Sequence, residues 1–530
     1  MNKLAVYLNQ HIDGVAYDSA DILERYSKDR SLLQYKPRIV AVPSNVADVS
    51  RLVKFSNQLA VKGMKLPITV RGAGLSKTGT SIGGGILMVM EKLNRIQELD
   101  VRQRLIRVQC GATLGEVKKA LSTQALDLPI VGDPRETIGD LIGRCAAASV
   151  NTKPGTIVDF IQDMEVVLSD GSIVTLNRKT KAKVDKKTTL KTLEGKIYKN
   201  IDELLSKNKT LVSKLDPQSM SRAWYSGVKH IKEKGFNLVP VVCGSEGTLA
   251  IATEVILTVE PIFEEPNYFA IACDSATQFV RVLRLLKELK FTDIEFYDTK
   301  IFAELESTGK TTKFYRKAPD NGFLIVANAK DDSRVTRKRK LSSLKRKLPQ
   351  KARLIIADKD NFADFAKLDE SLQGYLNFVT KGYRAPVIDN VYIPEKHQGS
   401  FIAGVNAIAD KLSTPLAIFG LGDYDLFTVR PTIRPDNITG YKKMIDFLRD
   451  YLHLVDSCDG YACGAAPEGR LLAPFLKASE NPSTIEFAKQ VKAIFDPQEV
   501  LNPDIKQNAD PRVIFKHFRS EYTQDLGSKY

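Results

Sequence analysis

Short apolar runs separated by polar turns dominate the first half of the chain. Apolar runs at 39–42 and 84–91 indicate buried strands, and the helically spaced apolar residues that follow the first run predict an amphipathic helix. Ser44 or Asn45 is suited to cap the start of that helix. Residues 164–176 predict a hairpin with Asp170-Gly171 at its turn. The pattern therefore predicts an α+β domain with many short strands.

The patterning also predicts how the chain is divided. Residues 1–36 form an N-terminal helical segment, and the first α+β domain occupies 37–262, with a basic, polar insertion at 178–235. From 263 to 490, strand–helix–strand units predict a second domain with one antiparallel sheet. The remaining segment, 491–530, is expected to contain the end of a helix followed by an Asn-Pro turn.

Composition excludes several classes of protein. The chain has 530 residues, of which 43% are hydrophobic and 27% charged, an ordinary globular balance. We find no apolar run long enough for a membrane helix and no signal-peptide pattern, so a cytoplasmic protein is expected. The six cysteines include no CxxC pair, and none of the five histidines pairs with another at metal-ligand spacing. Disulfides, zinc and iron–sulfur clusters are therefore not expected.

The net charge of +15 is concentrated in two basic segments, 178–196 and 333–353. A solvated basic face is the simplest interpretation of both. No aromatic residue interleaves either segment, so nucleic-acid binding is not expected. A peripheral membrane contact through the basic surface is the alternative that the charge leaves open.

Residues 68–85 read ITVRGAGLSKTGTSIGGG. The stretch is not a Walker A motif, because Thr80 follows Gly79 where that motif has lysine, and Lys77 breaks the Rossmann glycine pattern. Arg71 at a strand end nevertheless precedes residues suited to an anion nest, namely Gly72, Gly74, Ser76, Thr78 and Gly79. The residues alone leave open whether this is a pyrophosphate site or a structural turn.

The glycine stretch and five later motifs resemble the p-cresol methylhydroxylase-type FAD-binding domain, found in the vanillyl-alcohol oxidase family. The later motifs are CGATLGEV, DPRETIGDL, KPGTIVDFIQDMEVVLSDG, CGSEGTLAIATEVIL and FDPQEVLNP, and they occur in the family's order. The resemblance implies an α+β fold: a two-subdomain FAD-binding domain at 37–262, a substrate (cap) domain at 263–490 with an antiparallel sheet flanked by helices, and a C-terminal segment, 491–530, that returns to the FAD domain.

The resemblance also implies FAD as cofactor. The residues that it assigns to the FAD site are Arg71, Gly72, Ala73, Gly74, Leu75, Ser76, Gly79, Thr137, Ile138, Gly139, Gly155, Thr156, Gly247, Thr248, Ile251 and Asn502. Leu75 stands where some members attach FAD through histidine, so FAD is expected to bind non-covalently. Asp140 replaces the second glycine of the family's T-I-G-G loop. Because its charge would repel a pyrophosphate, we expect it to turn away or to accept backbone hydrogen bonds.

In the second domain the chain is similar to the branch of the family that contains D-lactate dehydrogenases and glycolate oxidases. That branch binds a divalent metal through histidines, but here Leu421, Thr428 and Ala466 occupy the histidine positions, so no metal is expected. The candidates that remain for the catalytic site are Arg430 as an anion anchor, with Arg384 as a second choice, and two tyrosines. Tyr424 is a candidate proton acceptor, and Tyr392 lies where the resemblance implies a strand near the flavin. A structural ion pair for Arg430 and simple packing for each tyrosine stay open as alternatives.

Three functions are consistent with these features. The first is an FAD-dependent oxidoreductase that oxidises a small, anionic hydroxy acid or alcohol by hydride transfer to flavin N5 in a metal-free site. The second is a catalytically silent flavin-binding protein derived from such an enzyme. The third, a nucleic-acid-associated protein, is supported by charge alone. The electron acceptor could be a quinone, oxygen or a carrier protein.

Overall fold

The computed structural model describes most of the chain in two compact units. The described residues are 3–149, 155–215, 223–262, 268–302, 322–329, 333–357, 378–379, 382–383, 388–433, 437–464, 466–506 and 516–519. Unit 1 comprises Met1–Ala148, Gly155–Ile262 and Ala465–Phe518, and unit 2 comprises Ser149–Pro154, Phe263–Gly464 and Arg519–Tyr530.

Short strands and helices alternate along both units. The strands are β1 (Val15–Tyr17), β2 (Ile39–Val42), β3 (Ile68–Arg71), β4 (Ile86–Val89), β5 (Ile96–Asp100), β6 (Leu105–Gln109), β7 (Leu126–Asp127), β8 (Ala147–Ala148), β9 (Gly155–Thr156), β10 (Ile161–Val167), β11 (Ile173–Asn177), β12 (Ile251–Thr258), β13 (Glu260–Pro261), β14 (Tyr268–Cys273), β15 (Thr292–Asp298), β16 (Phe323–Asn328), β17 (Arg353–Ile356), β18 (Phe378–Val379), β19 (Gly382–Tyr383), β20 (Ile388–Tyr392), β21 (Leu416–Leu421) and β22 (Leu426–Pro431). The α-helices are α1 (Lys3–His11), α2 (Ala20–Arg25), α3 (Val46–Val61), α4 (Leu114–Ser122), α5 (Ile138–Arg144), α6 (Lys181–Thr188), α7 (Leu193–Lys207), α8 (Lys209–Lys214), α9 (Val239–Val242), α10 (Ala276–Glu288), α11 (Arg334–Lys347), α12 (Gln398–Leu412), α13 (Ile438–Ser457), α14 (Gly469–Ser479) and α15 (Pro482–Phe495).

The first sheet of unit 1 has the strand order β1-β2-β4-β3. Strands β2, β4 and β3 are parallel. Every residue of β2 and β4 is apolar and buried, as expected for strands covered on both faces, whereas β3 ends in the partly buried Val70 and Arg71. Helix α3 buries Val49, Leu52 and Val53, and the side chain of Asn45 caps it by accepting the N–H of Asp48. The predicted strands and helix are therefore confirmed, with Asn45 as the cap.

The second sheet of unit 1 is antiparallel, with the order β11-β10-β12-β6-β5. Strands β10 and β11 form the predicted hairpin, and Gly171 at its turn has a left-handed φ of 85°. The basic insertion contributes α6, α7 and α8. It is not wholly polar, because α7 buries Ile197, Tyr198, Ile201, Leu204 and Leu205 on one face.

The N-terminal segment is expected from its sequence to be helical, but it also contains a strand. Strand β1 lies between α1 and α2 and pairs antiparallel with β2. Asn9 makes two hydrogen bonds with the backbone of Ala16 on β1, and the carboxylate of Asp48 accepts the N–H groups of Asp13 and Gly14. These contacts with other elements decide the conformation of the segment, and local sequence pattern does not reveal them.

Unit 2 contains the antiparallel sheet that the sequence predicts. Its strand order is β17-β14-β16-β15-β21-β22-β20. Helix α10 buries Phe279, which packs against Phe296 and Phe323 of the sheet, and Phe401 of α12 packs against Phe427. The apolar side of the helices and one side of the sheet therefore form the core of this unit. Within the described ranges, no helix is both long and apolar enough to span a bilayer.

Candidate active site

The glycine loop between β3 and β4 in unit 1 is tightly folded. Gly74 and Gly79 have left-handed φ angles of 71° and 79°. A Cβ on Gly74 would lie 2.2 Å from Nη2 of Arg71, so a larger residue could not fit without displacing that guanidinium. The hydroxyl of Ser76 accepts the N–H groups of Thr78 and Thr80 at 3.3 and 3.1 Å. The side chain of Ser76 thus stabilises the fold of the loop.

Arg71 holds the loop against the N-terminal segment. Its Nη1 donates to the carbonyl oxygens of Lys28 and Ser81 at 2.9 and 3.3 Å. Its guanidinium also lies 5.4 Å from the centre of the Tyr26 ring, a cation–π contact. Arg71 therefore has structural partners, and its charge lies beside the loop.

Asp140 lies directly on the glycine loop. It is the third residue of α5 and completes a capping box with Thr137. Its Oδ2 accepts the N–H of Thr137 and the N–H of Ala73, each at 3.0 Å. Burial raises the pKa of Asp140, and the two N–H bonds oppose that rise. Of the two conformations expected from the sequence, the structure has the one in which Asp140 accepts backbone hydrogen bonds.

The other assigned residues around the loop are mostly structural. Ile138 and Ile251 are fully or almost fully buried apolar residues. The N–H of Gly139 donates to Cys110 O at 2.7 Å, and a Cβ on Gly139 would lie 3.0 Å from that oxygen. The N–H of Thr156, which follows Gly155 in β9, donates to Asp159 at 2.8 Å. Leu75 is partly exposed.

The Gly247-Thr248 turn lies close to the same part of unit 1. Gly247 has a left-handed φ of 69°, and a Cβ there would lie 3.9 Å from the side chain of Val70, on the strand that enters the glycine loop. The hydroxyl of Thr248 donates to Ser245 O at 2.5 Å and contacts the hydroxyl of Tyr225 at 2.8 Å. The side chain of Thr248 therefore orders the turn.

Asn502 ties the C-terminal segment to the glycine loop. Its Nδ2 donates to Glu246 O at 2.8 Å and to Thr80 O at 3.3 Å. Its Oδ1 accepts Nη2 of Arg470 at 3.0 Å, and Nη1 of Arg470 donates to Gly79 O at the same distance. Sequence reasoning does not single out Arg470. Arg470 lies four positions after Ala466, and the sequence around it gives no indication that its guanidinium contacts both Asn502 and Gly79.

A buried charged triad, which we define as Glu246, Glu468 and Lys506, lies beside Asn502. Nζ of Lys506 is 2.9 Å from Glu468 and 3.3 Å from Glu246, and all three side chains are 1% exposed. Glu246 also accepts the N–H groups of Glu468 and Gly469, both at 2.9 Å. Burial raises the pKa of Glu468. Three residues far apart in sequence form the triad, so periodicity could not have identified it.

These features fit a flavin dinucleotide. Gly72, Gly74 and Gly79 of the loop are required by close contacts or left-handed backbone, and the N–H of Ala73 can donate to an anionic oxygen, since the Asp140 carboxylate is bound there. The N–H groups of residues 72–76 would hold the pyrophosphate of FAD. The flavin ring would supply the hydride acceptor.

In unit 2, Arg430 lies inside the sheet rather than on its surface. It is the fifth residue of β22, its side chain is 1% exposed, and its Nη2 forms an ion pair with Asp389. Within the described residues, its Nε and Nη1 make no hydrogen bond. Burial raises the pKa of the neighbouring Tyr451, while the charge of Arg430 opposes that rise. The structural ion pair left open from the sequence is therefore present, but the guanidinium nitrogens Nε and Nη1 have no hydrogen-bond partner among the described residues.

The former histidine positions in unit 2 are filled by residues that pack. Thr428 accepts the N–H of Asn390 at 3.1 Å and donates to its side-chain oxygen at 3.0 Å. Leu421 ends β21 and pairs with Leu426. Over the part of the chain that the structure describes, no group of three or more His, Cys, Asp or Glu residues is arranged to hold a metal.

The two candidate tyrosines lie at the other end of β22 from Arg430. Tyr424 is buried in the turn between β21 and β22, and Tyr392 pairs with Leu426, the first residue of β22. Tyr392 stacks on Tyr461 with ring centres 4.9 Å apart. Leu426 and Arg430 are four positions apart on the strand, a separation of about 13 Å. The structure thus places the tyrosines together but apart from Arg430, and Arg384 lies outside the described residues.

Comparison with known families decides the identity of the two parts. Residues 37–177 match the FAD binding domain, and residues 264–505 match the C-terminal domain of FAD linked oxidases.

The chain belongs to the FAD-linked oxidases.

Relatives and solved structures agree with this. The D-2-hydroxyglutarate dehydrogenase of Pantoea ananatis is 24% identical, over 90% of this chain and 48% of that enzyme, so the chain spans about half of its length. The glycolate oxidase subunit GlcD of Bacillus subtilis is 22% identical, over 89% of each chain. The structure of 4-ethylphenol oxidase from Gulosibacter chungangensis has a TM-score of 0.70 at 12% identity and covers 96% of this chain and 97% of its own.

For this FAD-linked oxidase, the sequence predictions of family, fold class and FAD as cofactor are confirmed. The assignments of individual site residues remain predictions.

Proposed function

We propose that this FAD-linked oxidase oxidises a small 2-hydroxy acid, removing hydride from the carbinol carbon in a site without a metal ion. The relatives named above act on D-2-hydroxyglutarate and glycolate, which are both 2-hydroxy acids. Neutral residues at the former histidine positions support a reaction in which protein side chains alone hold the substrate.

The Arg430–Asp389 pair is the observation that carries this proposal. The guanidinium has donors on Nε and Nη1 that make no hydrogen bond among the described residues, and each can donate a charge-assisted hydrogen bond to a carboxylate oxygen. The two donors are buried, so a substrate carboxylate that reached them would be held more strongly than in water. Asp389 offsets the charge of Arg430, which favours a substrate with a single carboxylate over a strongly anionic one.

Oxidation of the alcohol also releases the hydroxyl proton. The carboxylate of Asp389 is 20% exposed and is held by Arg430, so we propose that it accepts this proton while FAD accepts the hydride. Tyr392 is less suitable as a base, because burial raises its pKa. As a neutral phenol, it could instead donate a hydrogen bond.

Anaerobic reduction of the flavin tests the proposal. The purified holoprotein is mixed with D-lactate, glycolate, D-2-hydroxyglutarate and simple alcohols, and the loss of flavin absorbance is followed while metal content is measured on the same sample. Bleaching by a hydroxy acid with less than stoichiometric metal supports the proposal. A yellow protein that none of these compounds bleaches contradicts it.

A catalytically silent flavin-binding protein is the second candidate. The ion pair of Arg430 with Asp389 favours it, since a purely structural pair would also be buried. The variant Asp389→Asn separates the two candidates. If the protein is an enzyme, this variant keeps its flavin but is reduced much more slowly.

The electron acceptor and location also remain proposals. Helix α11 carries only basic charges, and its exposed residues include Lys338, Arg339, Lys345 and Arg346. Such a helix suits an anionic membrane surface, near which a quinone could accept electrons.

A further inference from the structure

Asp140 is bound where the cofactor's anionic group is expected. Its Oδ2 accepts the N–H of Ala73, inside the glycine loop, and the N–H of Thr137. A Cβ on Gly72 would lie 2.5 and 2.6 Å from the two carboxylate oxygens, so the whole carboxylate lies against the loop backbone. One of the loop's donors is therefore already used by an anion that belongs to the protein.

We propose that Asp140 competes with the pyrophosphate of FAD for the glycine loop and thereby limits how tightly this protein holds its cofactor. A pyrophosphate on the N–H groups of residues 72–76 has to share or displace the bond from Ala73 to Asp140. It also carries the same sign of charge as an ionised Asp140. The proposal rests on FAD being the cofactor, but not on any particular substrate.

The environment of Asp140 offers little to offset the repulsion. Glu136, just before helix α5, adds a further negative charge, and this charge raises the pKa of Asp140, as burial does. Arg144 is already paired with Glu136 at 2.9 Å, so its charge is offset there. Arg71 donates to the carbonyl oxygens of Lys28 and Ser81 and keeps its charge beside the loop, where that charge attracts Asp140 and a pyrophosphate alike and does not relieve their competition. Two like charges about 5 Å apart near a protein surface repel strongly enough to weaken binding about tenfold or more.

The test is FAD affinity, measured by titrating full-length apoprotein with FAD and following flavin fluorescence. Asp140→Asn keeps the size of the side chain and an acceptor oxygen but removes the charge. Asp140→Gly restores the glycine of the related loop and removes the competing group. Both variants are expected to bind FAD at least about tenfold more tightly than the wild type and to release it more slowly.

The chain offers a matched control. Glu116 in α4 completes the same kind of capping box, accepting the N–H of Thr113 at 2.9 Å, but its carboxylate makes no hydrogen bond to the glycine loop within the described residues. Glu116→Gln removes the same kind of charge and should leave FAD affinity unchanged.

Wild-type affinity, or weaker affinity, in both Asp140 variants overturns the proposal, provided that urea unfolding shows them to be folded. If one variant fails to fold, the other decides. The measurement contains no hydroxy acid. The proposal about Asp140 can therefore be wrong even if a hydroxy acid reduces the flavin. It can also be right in a protein whose flavin no hydroxy acid reduces.

Discussion

Removing the charge of Lys506 should show how much the buried charged triad contributes to the stability of unit 1. Lys506 is the only cation of that triad, and it contacts both Glu468 and Glu246 while its side chain is 1% exposed. Its ammonium also lies 5.2 Å from the centre of the Tyr225 ring. Lys506→Met keeps most of the side-chain volume but leaves two buried carboxylates without the cation that contacts them both.

The expected cost follows from that burial. Breaking a buried ion pair by removing one partner typically costs about 3–5 kcal/mol, because the remaining charge is left uncompensated. For a unit of this size, that corresponds to a fall in Tm of roughly 5–8 °C. Burial already raises the pKa of Glu468 in the wild type, and loss of Lys506 should raise it further.

The pH dependence has a definite sign. A carboxyl group whose folded-state pKa lies above its unfolded value destabilises the fold once pH exceeds the unfolded value, and protonation at lower pH removes that penalty. The loss in free energy of unfolding that Lys506→Met causes relative to wild type should therefore be largest near pH 8 and become smaller towards pH 5. In the double variant Lys506→Met/Glu468→Gln, one of the two charges is absent, so part of the lost stability should return at pH 8.

Urea unfolding of FAD-saturated protein measures this, with tryptophan emission as the probe. Trp224 is the only tryptophan in the chain, it is buried, and its backbone N–H donates to Glu468 at 3.2 Å, so its emission reports on unfolding of the segment that contacts the triad. The reasoning would be refuted if Lys506→Met lowered the free energy of unfolding by less than about 1 kcal/mol, or if this loss of stability did not change with pH.

Further predictions concern the glycine loop, the substrate anchor and the basic helix. Gly72→Ala should weaken FAD binding at least about tenfold, because its Cβ would lie 2.3 Å from Thr137 Oγ1, whereas Gly84→Ala meets nothing within 4 Å and should bind FAD normally in the same fluorescence titration. Arg430→Lys should raise KM for the hydroxy acid about tenfold or more without changing flavin content, since lysine cannot bind a carboxylate bidentately; an unchanged KM contradicts its role as anchor. Charge reversal of Lys338 and Arg346 on α11 should reduce sedimentation with vesicles of anionic lipid at least tenfold at low salt, and wild-type sedimentation that is insensitive to salt would contradict the membrane proposal.

Local pattern was sufficient for most of the fold. The helix after Asn45 and the hairpin at Gly171 depend on residues close in sequence, and both were predicted correctly. Strand β1 was missed because its conformation depends on Asn9 and on Asp48, which lies in another element. Periodicity reports how a segment presents apolar residues to a core, and it carries no information on which distant polar side chain completes the backbone hydrogen bonds.

In the candidate site, too, some residues could be identified from the sequence and others could not. The glycine loop could be identified because its function depends on backbone shape, which glycine spacing records directly. The charged triad and Arg470 could not, because each depends on partners hundreds of positions apart, such as Glu246 with Glu468 or Gly79 with Arg470. The sequence did show that Asp140 was out of place, and the structure added which N–H groups it binds.

In unit 2, the residues at the positions where the resemblance implies histidines form part of the sheet. Thr428 is buried on β22, and its hydroxyl makes two hydrogen bonds with Asn390, whose left-handed φ of 51° lies where the pairing of β20 with β22 shifts register. A histidine at 428 would lose both bonds and would have to displace neighbouring side chains in a closely packed strand. Leu421 likewise ends β21 in register with Leu426. Restoring histidine at 421 and 428 should therefore destabilise unit 2 rather than create a metal site, which urea unfolding and metal content of the double variant would measure. Our proposal accordingly relies on the groups now present, above all on Arg430, whose Nε and Nη1 make no hydrogen bond among the described residues.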